Sequence, residues 1–231
     1  MLEVTGLDAG YGAVQVLHGL TLSVRPGEVL VVMGRNGAGK TTALRAIMGL
    51  VPPTAGEVTL DGARLDRLPA HEVPRRGVGY VPQGRRLFAE LTVAENLEIG
   101  LMARGRGARV RAWVLDLFPR LAERLGQVAG TLSGGEQQML ALGRALCLEP
   151  SVLLLDEPGE GLQPSMIALI RKTVTRLRDD GVAVLLVEQR VDTALAVADR
   201  IAFVAGGRVA ETRTVAELTA DPAPFRAHVG V

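Results

Sequence analysis

The chain has 231 residues, of which 48% are hydrophobic and 22% are charged, as in an ordinary globular protein with a sizeable core. The formal net charge of +1 gives no overall attraction to nucleic acid or anionic lipid, so any partner must be recognised locally. Cys147 is the only cysteine, which excludes an intramolecular disulfide and fits a reducing compartment. Its apolar neighbours predict a packed thiol rather than a nucleophile.

No stretch of the sequence reads as a secretion signal or a membrane span. The first residues, MLEVTGL, lack a basic segment followed by an apolar one. The longest apolar runs, Val29–Met33 and 182–187, have the length of strands and fall far short of the ~20 residues that cross a bilayer. If the protein serves a membrane process, we expect it to act from the cytoplasmic face.

Short strands separated by turns are predicted for the first sixty residues. Residues 20–24 and 58–60 alternate between apolar and polar side chains, as in half-buried strands. The second of these segments is followed by the turn signal Asp61-Gly62. Val29–Met33, between them, is a continuous apolar run typical of a strand covered on both faces.

The rest of the chain predicts alternating helices and strands. A glycine-rich loop after residue 33 leads into a helix that ends near Gly49, and two more buried strands, 152–155 and 182–187, are joined by a helix. This order predicts a parallel sheet covered by helices. Residues 84–148 have helical patterning and are expected to form an inserted lobe. A hairpin at 200–211 and a short helix at 215–220 complete the pattern.

The strongest local signal is the segment 34–41, GRNGAGKT, which fits the phosphate-loop pattern G-x-x-x-x-G-K-[ST]. Such glycines let backbone N–H groups turn inward around a phosphate, and the following helix N-terminus favours an anion. A plain glycine turn would leave the Lys-Thr pair unexplained. Lys40 would contact the β- and γ-phosphates, and the Thr41 hydroxyl suits a Mg²⁺ ligand. The predicted nucleotide-binding residues are Gly34, Asn36, Gly37, Ala38, Gly39, Lys40, Thr41 and Thr42.

The second signal is an apolar strand, 152–155, that ends in the adjacent carboxylates Asp156 and Glu157. Asp156 is predicted to hold Mg²⁺, and Glu157 to polarise the attacking water as general base. An acidic pair after a strand is more often a helix-capping turn, but a phosphate loop on another buried strand favours catalysis. Together the two motifs predict a phosphate-loop NTPase, which leaves a kinase, a helicase-like motor and a transport ATPase open.

A third motif, LSGGEQQ at 132–138, decides among these classes because it resembles the signature sequence of ABC ATPases. Ser133 would begin a helix at 134–148, and Gly134 and Gly135 would leave its first amides open to an anion. A serine cap before a flexible turn would explain Ser133 alone. In the ABC family this motif contacts the γ-phosphate of ATP bound to a second subunit, so the resemblance implies a head-to-tail dimer.

The resemblance extends over the whole chain and implies an α/β fold. The expected architecture is a phosphate-loop (RecA-like) core with a parallel sheet, an N-terminal antiparallel β subdomain and an inserted helical subdomain. Residues 1–231 would form a single ABC ATPase domain, with 1–83 and 149–231 as core and 84–148 as lobe. ATP and Mg²⁺ are the implied cofactors.

Further site residues are implied by the same resemblance. Tyr11 matches the aromatic residue that stacks on adenine, although a core tyrosine is an alternative. Gln83 matches the glutamine that reaches Mg²⁺ and the attacking water, and it leads into the lobe. The segment 160–163 matches a loop that faces the partner subunit.

Two positions depart from the family pattern. Gly159 stands where most relatives have threonine, which would loosen its loop. Gln189 stands where most have a histidine that contacts the γ-phosphate, and a glutamine amide donates a hydrogen bond but carries no positive charge. Gln189 is therefore a predicted catalytic residue without a histidine switch. The three histidines, His18, His71 and His228, are expected at the surface or in turns.

Within the family, the chain resembles the second ATPase subunit of branched-chain amino-acid importers and its relatives in urea and short-amide importers. The segments 84–88, 91–97, 135–140 and 187–189 carry this resemblance. Residues 135–140 favour the amino-acid branch, whereas Gln83 and 160–164 favour the urea branch, so both solutes stay open.

The implied partners are a second, non-identical ATPase subunit, two transmembrane permease subunits and, indirectly, an external solute-binding protein. The chain would lie peripherally on the cytoplasmic face, and no nucleic acid is expected. Leu87, Phe88 and Leu91 are candidates for the surface that receives the permease, with ordinary lobe packing as an equal alternative. A soluble ABC ATPase acting on nucleic acid or ribosomes and an exporter ATPase are the rival functions, and the lobe and Gln189 disfavour both.

Overall fold

The computed structural model describes residues 1–105 and 107–230. These residues form the strands β1 (Leu2–Tyr11), β2 (Val14–Val24), β3 (Val29–Met33), β4 (Pro53–Leu60), β5 (Ala63–Arg64), β6 (Val78–Val81), β7 (Val152–Asp156), β8 (Ala183–Val187), β9 (Arg200–Ala205) and β10 (Arg208–Thr214). The helices are α1 (Lys40–Ile47), α2 (Val93–Met102), α3 (Ala108–Leu117), α4 (Pro119–Ala122), α5 (Gly134–Leu146), α6 (Pro164–Asp179), α7 (Val191–Val197), α8 (Val215–Ala220) and α9 (Ala223–His228). In the described ranges, no helix is long and apolar enough to cross a membrane.

The central sheet has six strands in the order β10-β9-β3-β8-β7-β6. All neighbours from β9 to β6 are parallel, and only the edge strand β10 is antiparallel. Every residue of β3, β7 and β8 is buried, which explains why their sequences are continuous apolar runs. The predicted parallel sheet is confirmed.

Two hydrophobic cores cover the two faces of this sheet, because successive strand residues point to opposite sides. Val31 and Leu153 pack with the apolar sides of helices α2, α3 and α5 to α7. Leu30 and Leu154 pack with α1 and with the antiparallel sheet β2-β1-β4-β5. Cys147 lies fully buried in the helical core, where burial raises the pKa of its thiol to about 12, so the prediction of a packed thiol is confirmed.

Between β6 and β7, the described residues include the helices α2 to α5, in agreement with the helical patterning of 84–148. Thr92 and Ser133 cap α2 and α5, each in a capping box with a glutamate three residues later. The helix predicted for 134–148 ends two residues earlier, at Leu146. Asn96, fully buried in α2, accepts from the Phe88 N–H (3.1 Å) and donates to the Phe88 carbonyl (3.0 Å), which attaches the preceding loop to the helices.

The C-terminal segment differs from the prediction. The last element indicated by the sequence is the short helix at 215–220, yet the chain also forms α9, which packs Phe225 edge-on against Phe203 of β9. His228 is not the surface residue we expected, because its ring is tilted against Phe203 (5.3 Å between centroids) and its Nε2 lies 2.9 Å from Glu211 Oε1. A six-residue helix carries too little periodicity to be recognised, and its tertiary contacts decide its conformation.

Gly207, in the β9–β10 turn, joins this hairpin to the loop before α1. Its N–H donates to the Ala38 carbonyl (3.0 Å), and its carbonyl accepts from the His18 N–H (3.0 Å). A Cβ at Gly207 would overlap the Val16 carbonyl oxygen, and the φ of +73° already disfavours a side chain. We expect Gly207→Ala to lower the free energy of unfolding by at least about 2 kcal/mol, measured by urea denaturation.

Gly206→Ala is the matched control. Gly206 also has a positive φ, +53°, but a Cβ there meets nothing within 4 Å. Gly206→Ala should therefore lower the free energy of unfolding by only about 1 kcal/mol, which is the cost of a left-handed backbone for alanine. Equal losses in the two variants would show that the overlap with Val16 has no energetic consequence.

Candidate functional site

The phosphate loop follows β3 directly and ends in α1, at the carboxyl edge of the parallel strands, where such sheets bind ligands. The Lys40 ammonium folds back over the loop and donates to the carbonyls of Gly34 (2.7 Å) and Arg35 (3.1 Å). Burial lowers the pKa of Lys40, and the carboxylates of Glu157 and Asp156 oppose that shift. The loop thus holds a cation above its own backbone.

Asp156, the last residue of β7, faces the start of α1. The Thr41 hydroxyl donates to Asp156 Oδ1 (3.1 Å), whereas the buried Oδ2 has no hydrogen-bond partner in the described part of the chain. Burial raises the pKa of Asp156, the Thr41 hydrogen bond opposes the shift, and the Glu157 charge adds to it. A buried carboxylate with one unpartnered oxygen beside a hydroxyl fits a hard divalent cation, which prefers oxygen ligands.

Glu157 has a left-handed backbone, with φ at +49°, a conformation that costs a non-glycine residue about 1–3 kcal/mol. Its N–H donates to the Val187 carbonyl of β8 (3.0 Å), which helps to hold this conformation. The side-chain amide of Gln189 donates to Glu157 Oε1 (2.6 Å). Gln189 therefore orients the carboxylate of the predicted general base without adding a charge to it.

A cavity of about 510 Å³ brings most of the predicted residues together. Gln83 also reaches it, and its amide donates to Glu160 Oε2 (2.9 Å). The lining residues are Val16, Asn36, Gly37, Ala38, Gly39, Lys40, Thr41, Thr42, Gln83, Glu157, Glu160 and Gln189. Val16 was not among the predicted site residues, and Glu160 was expected to face the partner subunit rather than to line this cavity. Only the packing of β2 and of the loop after β7 brings these two residues here.

Tyr11, at the end of β1, is not a core residue. It is 46% exposed, and its hydroxyl accepts a hydrogen bond from Arg45 Nη1 (3.3 Å). The alternative of a core tyrosine is therefore wrong. Stacking on adenine stays a prediction, for which an exposed ring is a requirement.

The signature residues lie apart from this cavity. Ser133 is exposed at the start of α5, and its backbone N–H donates to the Glu136 carboxylate (2.9 Å) in the capping box. In the described structure, neither Ser133 nor Gly134 nor Gly135 is among the residues that line the cavity. This agrees with the expectation that the motif serves a site outside the phosphate loop of its own chain.

This combination of a phosphate loop, an acidic strand end and a serine-capped glycine helix in an inserted helical segment defines an ABC-type ATPase. Residues 17–160 match the family model described as ABC transporter. The chain therefore belongs to the ABC transporter family, whose ATP-binding subunits hydrolyse ATP to drive transport.

Three relatives show which transport proteins of this family the chain is similar to. The chain is 42% identical over 232 residues to the high-affinity branched-chain amino acid transport ATP-binding protein BraG of Pseudomonas aeruginosa, with 100% of each chain covered. It is 40% identical to the probable branched-chain amino acid transport ATP-binding protein LivF of Archaeoglobus fulgidus, with 94% of each covered. It is 34% identical to the lipopolysaccharide export system ATP-binding protein LptB of Escherichia coli, with 99% of this chain and 97% of that protein covered.

Solved structures confirm the fold. An ATP-binding subunit of an ABC transporter superposes with a TM-score of 0.86 at 31% identity, covering 100% of this chain and 96% of that one. The dimeric structure of a bacterial ABC transporter cassette superposes with a TM-score of 0.83 at 27% identity, covering 93% and 99%. The α/β fold expected from the motifs is that of these cassettes.

Proposed function

We propose that this chain is the ATPase subunit of an importer for branched-chain amino acids, bound to the cytoplasmic face of two permease subunits. The observation that carries this proposal is the identity of 42% and 40% to two ATP-binding proteins of branched-chain amino acid transport, over nearly full lengths. These relatives favour the amino-acid branch over urea and short amides. The lower identity to a lipopolysaccharide export protein, 34%, disfavours an exporter.

In the proposed mechanism, the triphosphate of ATP lies in the cavity over the phosphate loop. The loop amides and the N-terminus of α1 face the phosphates, and Lys40 exchanges its two loop carbonyls for phosphate oxygens. Thr41, Asp156 and Gln83 are the residues that would hold Mg²⁺, and the unpartnered Oδ2 of Asp156 supports that assignment. Bound there, Mg²⁺ would neutralise charge on the β- and γ-phosphates.

Glu157 is the proposed general base. Gln189 holds one oxygen of its carboxylate, and the other oxygen can accept the proton of the attacking water. The left-handed backbone fixes where that carboxylate points. Gln83 joins the site from the other side of the cavity, where Glu160 now holds its amide.

A second ATPase subunit is needed to complete each site. Ser133, Gly134 and Gly135 begin a helix whose amides favour an anion, yet they do not line the cavity of their own chain. The likeness to a dimeric cassette supports a head-to-tail pair in which these residues meet ATP on the partner. Tyr11, exposed at the end of β1, would stack on adenine.

The permease is proposed to contact the segment before α2. Phe88 is 49% exposed, whereas Leu87 and Leu91 are half-buried, so Phe88 is the strongest of the three candidates. In this proposal the chain is one ATPase unit, and helices α2 to α5 form the lobe that receives the permease.

Affinity purification of this chain from native membranes in mild detergent tests the proposal. We expect two hydrophobic chains and a second ATPase to co-purify. The associated solute-binding protein should then gain thermal stability with leucine or valine and not with urea. Co-purification of ribosomal or nucleic-acid-binding proteins without a membrane chain would contradict the transport function, and stabilisation by urea alone would contradict the solute.

A further inference from the structure

The loop that follows Gln83 has a strained backbone. Gly84, Arg85 and Arg86 are consecutive and have φ angles of +77°, +66° and +48°. The Arg86 N–H donates to the Gly84 carbonyl (2.7 Å) and closes a tight turn around Arg85, a γ-turn of the rare kind with positive φ. Left-handed arginines persist only where other contacts hold them, and they are found most often at functional sites.

The contacts that hold this loop come from α5, the helix of the signature motif. Arg85 Nη1 donates to Gln137 Oε1 (3.0 Å). The same guanidinium covers Gly134, since a Cβ there would lie only 3.0 Å from Nη2 and 3.3 Å from Nη1. Further along the helix, Arg144 Nη2 donates to the Arg86 carbonyl (2.7 Å). This segment, residues 83–86, is called the glutamine loop below, and it is attached to α5 near both ends of the helix.

The charge of Arg85 is not neutralised inside the described chain. No carboxylate lies within 4 Å of its guanidinium among residues 1–105 and 107–230. The nearby Glu136 carboxylate is occupied by the Ser133 N–H (2.9 Å) and by Arg124 Nε (2.8 Å). A cation beside a helix N-terminus is unfavourable by itself, because the helix already presents partial positive charge there. An anion that arrives from outside would relieve this repulsion.

We propose that Arg85 is a positioning residue of the ATPase reaction, which fixes the first turn of α5 to the glutamine loop and keeps a positive charge beside the signature motif. This inference rests on the proposed function, in which that turn meets the γ-phosphate of ATP on a second subunit. Arg85 acts through Gly134 and Gln137, so its effect falls on the site of the partner. It also makes any movement of Gln83 a movement of the signature helix.

Steady-state kinetics of variants of this 231-residue chain test this role. Arg85→Ala should lower kcat by about 10–100-fold. The variant loses the positive charge, and the backbone N–H groups at the start of α5 are no longer held in position toward the phosphate. Its affinity for a fluorescent ATP analogue should stay within about twofold of wild type, since the phosphate loop is untouched. Arg85→Lys should recover part of kcat, because it keeps the charge and loses the planar fork.

Arg86→Ala is the matched control, because Arg86 is the next residue, carries the same charge, is also left-handed and has an exposed side chain. Its carbonyl, which Arg144 binds, is unchanged by the substitution. We expect near-normal kcat. A loss as large as that of Arg85→Ala would contradict the proposal, as would a fall in ATP affinity and thermal stability that accounts for the lost activity.

A mixing experiment separates action on the partner from action within the same chain. Lys40→Ala has an intact signature helix and a disabled phosphate loop, and Arg85→Ala has the reverse. When the chain pairs with a second copy of itself in place of the second ATPase, an equal mixture should regain up to about a quarter of wild-type activity, because half of the dimers are mixed and each mixed dimer holds one intact site. No recovery would overturn the proposal, since Arg85 would then act within its own chain, through Gln83.

Different results would contradict the proposed function and the role of Arg85. Failure of a membrane chain and a second ATPase to co-purify would contradict the proposed function. Their co-purification, together with full activity of Arg85→Ala, would contradict the role of Arg85 alone.

Discussion

Glu157→Gln should lower ATP turnover by about 10²–10⁴-fold and leave ATP binding intact, because the variant removes a positioned general base and keeps the size of the side chain. The amide oxygen of the new side chain can still accept from Gln189, whose amide lies 2.6 Å from Glu157 Oε1. The geometry of the cavity should therefore survive. Steady-state phosphate release measures turnover, and a fluorescent ATP analogue measures binding.

Retained binding is the internal control for this variant. Since hydrolysis is blocked and ATP stays bound, the variant should also form an ATP-dependent dimer that gel filtration detects. Near-normal phosphate release would show that Glu157 is not the general base. Lost binding would mean that its carboxylate serves the structure of the loop, where its backbone is bound to Val187 of β8.

Lys40→Ala should impair nucleotide binding, the step before the hydrolysis that Glu157→Gln blocks. We expect its dissociation constant for ATP to rise by at least about 100-fold. Two effects add. The positive charge that faces the phosphates is lost, and so are the hydrogen bonds to the carbonyls of Gly34 and Arg35 that shape the loop. Isothermal titration with ATP and Mg²⁺ measures the change.

The second lysine of the chain provides a matched control for Lys40→Ala. Lys40 and Lys172 are the only lysines, and arginine provides all other fixed cationic side chains. Lys172→Ala removes the same group from an exposed position on α6 and should bind ATP like wild type. Lys40→Arg should also bind poorly, because the buried position suits a compact ammonium rather than a planar fork. Unchanged ATP affinity in Lys40→Ala would contradict the assignment of Lys40.

The elements that carry the chemistry could be predicted from local sequence. The apolar run of β3 followed by the glycine loop, the apolar β7 ending in Asp156 and the serine before α5 each encode their conformation within about ten residues. Their order along the chain is specific enough to indicate the family. The family match over residues 17–160 includes all three motifs.

The sequence alone also determined the parallel sheet, because strands buried on both faces have no polar alternation. It determined neither the short α9 nor the position of His228 against Phe203. Both depend on contacts between segments far apart in the chain, for which a local pattern carries no signal.

The contacts within the site were decided only by the tertiary structure. The strand order places β8 between β3 and β7, so the ends of these three strands meet at one edge, and Thr41 reaches Asp156 across 115 positions of sequence. The pairs Gln189–Glu157 and Arg85–Gln137 arise in the same way, from loops that the sheet and α5 bring together. Local sequence specifies which groups are present, and chain topology specifies which of them meet, because hydrogen bonds between side chains depend on distances in space rather than along the chain.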